Sequence, residues 1–74
     1  MVKNRLKSIR HEYEMNQVEF AKMLGISQSQ YNRYELQQRQ PLLEIVLQMA
    51  EKLNRPVEQI VYLDRHQNPQ TGID

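Results

Sequence analysis

Gln28, Ser29, Asn32 and Arg33 lie close enough in sequence to share one face of a helix, since successive helical residues turn by about 100°. Glutamine and asparagine can each pair bidentately with adenine. Arginine fits guanine O6 and N7, and serine donates or accepts while permitting close approach. Such a face is chemically suited to base-pair edges in a major groove. Polar helix faces also arise simply because they are wet, so the surrounding elements must decide between the two readings. Tyr31, Tyr34 and Glu35 fall toward the other side of the same helix.

Val2, Leu6, Ile9 and Tyr13 recur at helical steps and predict a first helix over residues 3–13. Asn16 with Glu19 three residues on is a capping-box signature, and Val18, Phe20, Ala21 and Leu24 continue it as a second helix over 17–24. Gly25 is placed to close that helix, because it takes positive φ without a Cβ clash. Ser27 with Gln30 repeats the box, so a third helix is expected from Gln28 to about Leu36. The connection between the two is so short that the chain must turn sharply. Ala21 is small enough for the crossing point, and Phe20, Leu24, Ile26, Tyr31 and Tyr34 are placed to fill the angle. The polar run Gln37-Gln38-Arg39-Gln40-Pro41 predicts a loop. Leu43, Val46, Leu47, Ala50 and Leu53, thickened by Ile45 and Met49, predict a fourth helix ending at Asn54. Pro56 predicts the start of a short fifth helix with Val57, Ile60 and Val61 apolar. No segment alternates as a strand does, and none repeats.

Taken together, Arg10, Gln17, Phe20-Ala21, Gly25-Ile26-Ser27-Gln28, Glu35, Pro41, Leu47, Ala50 and Leu53 give the chain its resemblance to another group of proteins. It resembles the helix-turn-helix domains of the phage repressor and Cro type, the XRE family, over most of its length. The resemblance implies an all-α, compact five-helix bundle that binds double-stranded DNA, usually as a dimer on a palindromic operator, to control transcription. It makes the third helix the recognition helix, with Gln28, Ser29, Asn32 and Arg33 on the bases. It assigns Gln17 to a phosphate contact that also supports Gln28. Asn16 stands beside Gln17 at a helix N-terminus, where exposed N–H groups and the dipole favour a phosphate. Gln38, Arg39 and Gln40, in the loop that the family runs along the DNA backbone, are further phosphate candidates. Arg10 and Glu35 occupy positions that the family pairs as a salt bridge. Three residues depart from the pattern. Tyr31 stands where Ile or Val is preferred, Gln37 where Gly follows the recognition helix, and Leu42 where a Ser or Thr cap is common.

Composition narrows the remaining choices. With 74 residues the chain is one domain, expected over 1–64, with an aperiodic tail over 65–74 expected to be disordered. There is no cysteine, and His11 and His66 are isolated, so no metal site is expected. No glycine-rich phosphate loop and no nucleophile–base pair is present, and a thin core leaves little room for a pocket. The expectation is a protein that is not an enzyme, carries no cofactor and binds no small molecule. No apolar run approaches the length of a membrane span, and residues 1–10 lack the apolar stretch of a secretion signal, so a cytoplasmic location is expected.

Net charge is only +1, but it is unevenly spread. Residues 1–39 carry seven basic against four acidic side chains, and residues 40–74 three against five. A basic half fits a polyanion, and the acidic half fits something else. Val57, Val61, Tyr62 and Leu63 are the expected homodimer face, on the fifth helix. The low net charge and that apolar helix also leave open a different class of function, a protein-interaction or antitoxin-like module using the same fold.

Overall fold

In the computed structural model, which describes residues 1–65, the chain runs β1 (Val2–Asn4), α1 (Leu6–Glu12), α2 (Gln17–Leu24), α3 (Gln28–Glu35), α4 (Leu43–Leu53), a 3₁₀ turn (Val57–Gln59) and β2 (Val61–Leu63). The capping chemistry sets the helix limits. Asn16 accepts from the Glu19 N–H at 2.8 Å and donates its own N–H to Glu19 Oε1 at 3.0 Å, a complete box at the start of α2. The helix closes on Gly25 at φ 79°. Lys52 Nζ donates to the Leu24 carbonyl at 3.0 Å, and a Cβ on Gly25 would come within 2.7 Å of that ammonium. The positive φ therefore favours glycine there, whereas the Lys52 ammonium ends a flexible side chain that can give way. Ser27 Oγ accepts from the Gln30 N–H at the start of α3. Only half of that second box forms, because the Gln30 side chain donates forward to the Tyr34 hydroxyl at 2.6 Å. Leu42 is the N-cap of α4 and makes no side-chain capping bond, while Asn54 closes α4 in the left-handed region.

The expected all-α, five-helix bundle is corrected at both ends of the domain. Among the described residues four α-helices are joined by a two-stranded antiparallel sheet in which Val2 pairs with Leu63, Lys3 with Tyr62 and Asn4 with Val61. The first helix starts at Leu6, so Val2 belongs to a strand rather than to the helical stripe. Asn4 makes the change of direction, its Oδ1 accepting from the Leu6 N–H at 3.1 Å. The fifth helix is reduced to one 3₁₀ turn, and the chain then extends through Val61-Tyr62-Leu63. Short runs rich in β-branched and aromatic residues are ambiguous between helix and strand, and here the pairing with β1 decides for strand. The expected tail over 65–74 lies outside the described residues from 66 onward.

The core gathers Leu6 and Ile9 from α1, Phe20, Ala21 and Leu24 from α2, Tyr31 and Tyr34 from α3, Met49 and Leu53 from α4, and Ile60. Phe20 sits between two tyrosines, 5.6 Å from the Tyr13 ring and 5.5 Å, nearly edge to face, from Tyr31. Burial of these rings on one side fixes the rotation of α3 and hence the face it leaves outward. Among the described residues no helix is long and apolar enough to cross a membrane.

Candidate nucleic-acid interface

The outward side of α3 carries Gln28, Ser29 and Arg33, all exposed, with Asn32 half-buried beside them. Its inner side is pinned by Tyr31 and Tyr34, at 0% and 2% exposure. Rotation of the helix about its axis would bring polar groups into the core, so the polar face is held in one orientation.

Glu35 is the hub of that pinning, with a side chain only 4% exposed. Arg10 reaches it from α1 with two donors, Nε to Oε2 at 2.6 Å and Nη2 to Oε1 at 3.3 Å. The third arm of the guanidinium, Nη1, donates to the Met15 carbonyl at 3.0 Å and so braces the connection between α1 and α2. The Tyr31 hydroxyl donates to Glu35 Oε2 at 2.5 Å, and Gln17 Nε2 to Oε1 at 3.0 Å. Burial works against ionisation of Glu35, but hydrogen bonds from Arg10, Tyr31 and Gln17 together with the Arg10 charge outweigh it and hold the carboxyl below its ordinary range. Burial first, and then the Glu35 carboxylate, push the Tyr31 phenol well above its usual range, so it remains a donor. Tyr31 thus does more than fill the space of a branched aliphatic residue: its hydroxyl joins the ionic hub.

Gln17 faces inward. Its Nε2 also donates to Asn32 Oδ1 at 3.0 Å, so the side chain supports Asn32 and Glu35 rather than Gln28, which corrects the second part of the role implied by the resemblance. Asn16 is engaged as a cap. In the following loop Gln38 and Arg39 are exposed, whereas the Gln40 amide is engaged on both sides, accepting from Asn4 Nδ2 at 2.9 Å and donating to Gln37 Oε1 at 2.9 Å.

A second group of residues, which sequence reasoning misses, shapes that loop. Gln37 has φ 60°, a left-handed conformation that costs a side-chain-bearing residue energy. Its amide compensates by pairing with the backbone of Asn4 as a strand would: Oε1 accepts the Asn4 N–H at 3.1 Å and Nε2 donates to the Asn4 carbonyl at 3.0 Å. Asn4 itself is 5% exposed and donates to the Tyr34 carbonyl at 2.8 Å, near the end of α3. The departure of Gln37 from the family's glycine is the one signal of this network in the sequence.

Val57, Val61, Tyr62 and Leu63 do not form a helical face. Val61 packs against the core, Tyr62 is half-buried with the Arg5 guanidinium 4.1 Å from its ring centre, and Leu63 is exposed.

Two short capped helices at a glycine turn, the second showing a polar face held by core tyrosines, define a helix-turn-helix unit. A family model described as helix-turn-helix matches residues 6–60, which takes in all four α-helices, and the chain belongs to that family of DNA-binding domains. The chain is also similar to the antitoxin PezA of Streptococcus pneumoniae serotype 4, with 32% identity over 69 residues, 93% of this chain. It spans 44% of that relative's length.

Proposed function

We propose that this domain reads duplex DNA with α3 in the major groove and acts as a transcriptional regulator by occupying its site. The observation that carries the reading is the fixed rotation of α3: Tyr31, Tyr34 and Glu35 are bound inward, and Gln28, Ser29 and Arg33 are presented outward. Gln28, Ser29, Asn32 and Arg33 contact bases, and Arg39 and Gln38 contact phosphates from the loop. At the start of α2 the Gln17 side chain is turned inward, so a phosphate there meets backbone N–H groups. A module of this size makes a small interface with DNA, so two copies bind one palindromic operator. Of the expected dimer face, Leu63 stays outward, and Val2 stands opposite it in the sheet. The reading carries with it a cytoplasmic location, no catalytic step and no cofactor.

The test separates reading from holding. Arg33→Ala relaxes the preference at one position of each half-site, by about 1–3 kcal/mol of discrimination if the partner is guanine. Arg39→Ala weakens all sequences alike and makes the salt slope shallower by about one phosphate. Binding to a selected site and its single-base variants at several salt concentrations distinguishes them. Uniform weakening by both substitutions would make Arg33 another phosphate contact.

A second reading is favoured by the relative that is named as an antitoxin: a module that uses this fold to bind a protein. A complex insensitive to salt, with no enrichment of any duplex, would select it.

A further inference from the structure

The antiparallel register of the two strands fixes which of their backbone groups point outward. Arg5 N–H donates to the Ile60 carbonyl at 2.8 Å, and Asp64 N–H to the Met1 carbonyl at 2.8 Å. Hydrogen-bonded positions alternate along such a pair. Lys3 and Tyr62 therefore bond each other between those two, while Val2, Asn4, Val61 and Leu63 turn their N–H and carbonyl groups away from the ladder. The outer edge of β1 is closed at Asn4, where the Gln37 amide takes both groups at 3.1 and 3.0 Å. The outer edge of β2 is open: no group among the described residues bonds the N–H or carbonyl of Val61 or Leu63. It also lacks the usual defences of an edge strand, since Val61-Tyr62-Leu63 has no charge, proline or bulge. Leu63 is 58% exposed, although it lies on the sheet face that Asn4 and Val61 turn to the core.

We propose that the open edge of β2 pairs with β2 of a second copy, so that two domains share one continuous antiparallel sheet. The edge is complementary to itself. With a two-fold axis at Tyr62, Val61 faces Leu63 of the other copy, and each such pair exchanges N–H and carbonyl in both directions. Every outward group of β2 is then satisfied. The Tyr62 rings become cross-strand neighbours on the outer face, where the Arg5 guanidinium lies 4.1 Å from the ring centre. Leu63 comes to lie beside Val61 of the other copy on the core side of the sheet and loses its exposure. The outer edges of the joined sheet are the two β1 strands, each closed at Asn4 by Gln37, so the assembly stops at two copies. Strands of three residues bury little area, so the free chain pairs weakly, and a shared duplex strengthens the pairing. This contact joins the two copies that the proposed operator complex requires, and to that extent it rests on that reading.

Sedimentation equilibrium without DNA, up to millimolar chain, is expected to show a monomer–dimer equilibrium. Amide hydrogen exchange over the same range is expected to slow at Val61 and Leu63 as the concentration rises. Leu63→Pro removes an N–H that the β1–β2 ladder does not use, so it is expected to leave the fold intact, which thermal melting checks. It is expected to raise the dissociation constant of the dimer at least about tenfold. Leu63→Ala keeps the N–H and is expected to weaken pairing less. If Leu63→Pro fails to fold, the exchange rates at Val61 and Leu63 in the wild type decide. A wild type that stays monomeric throughout overturns the proposal. So does a dimer in which those two amides exchange as fast as in the dilute chain; the contact then lies elsewhere, with the exposed Leu43 and Leu47 of α4 the next surface to test. In either case two chains on one selected duplex leave the two-copy reading standing, whereas one chain per duplex ends that reading as well.

Discussion

Along its length α3 is tied to α1 and α2 through an ion pair, and at its exit it is tied to β1 through neutral amides. The first seam converges on one buried carboxylate with four donors. The second has no charge: the Asn4, Gln37 and Gln40 side chains bond one another and the backbone of Asn4 and Tyr34. A carboxylate imposes the direction of every bond around it, so the ionic seam has one arrangement. Amides both donate and accept, so the order of the second seam is set by the backbone groups it ends on. The ionic seam lies behind the reading face, and the amide seam lies behind the loop that carries Gln38 and Arg39. The part of the surface proposed to discriminate bases is thus the part whose support is most rigidly specified.

Removing the charge is the largest available perturbation. Glu35→Ala leaves Arg10 unpaired and takes acceptors from Tyr31 and Gln17, and is expected to cost about 3 kcal/mol in urea unfolding, at the low end for a broken buried pair because Arg10 keeps some access to water. The same seam is expected to respond to acid. The folded-state pKa of Glu35 lies below its unfolded value, so as pH falls the unfolded chain takes up the proton first. Its contribution is full above about pH 4.3, the ordinary value for glutamate, and is lost as pH drops through the lower folded value. Glu35→Gln should flatten that part of the stability profile, whereas Asn4 variants should keep the wild-type shape. Equal acid slopes for the wild type and Glu35→Gln would show that Glu35 is not held as the hub described.

Asn4→Ala is expected to cost about 2 kcal/mol, because it takes the partner of the Leu6 N–H and one of the two donors on the buried Tyr34 carbonyl, the Gln37 N–H being the other. Equilibrium unfolding measures the loss. Binding should also fall for all sequences alike, since the loop rather than the reading face is loosened. A change in base preference would mean that the two seams are coupled.

The two seams also differ in how far they can be read from the sequence. The limits of α2 and α3 are legible because caps are local: Asn16 and Glu19, and Ser27 before Gln28, signal within one turn. Arg10 and Glu35 stand 25 positions apart, and only a resemblance to known domains brings them together. Nothing local marks Asn4 as the partner of Gln37, 33 positions away. The sheet is illegible for the same reason: each strand has three residues, too few for alternation to show, and the partners lie at opposite ends of the domain. The expected dimer face of Val57, Val61, Tyr62 and Leu63 rests on a fifth helix that this pairing replaces. Val61 is accordingly a core contact, and Leu63 is the position at which a charge would test self-association.

The smallest expected effect comes from separating strain from bonding at Gln37. Its left-handed backbone favours glycine, and its side chain supplies two bonds to the backbone of Asn4. Gln37→Ala keeps the unfavourable φ and loses both bonds, and is expected to cost about 2 kcal/mol. Gln37→Gly loses the same bonds but relieves the backbone by about 1 kcal/mol, so it should fall between alanine and the wild type. Thermal melts of the three proteins measure the order. If glycine equals or exceeds the wild type, the amide pairing contributes no more than the strain it offsets. The bonds would then serve to place the loop rather than to stabilise the domain, and Gln37→Gly should keep full stability while weakening DNA binding through Arg39. If alanine matches the wild type instead, the side-chain pairing with Asn4 is worth nothing in solution, and the amide seam reduces to the Asn4 bonds to Tyr34, Leu6 and Gln40.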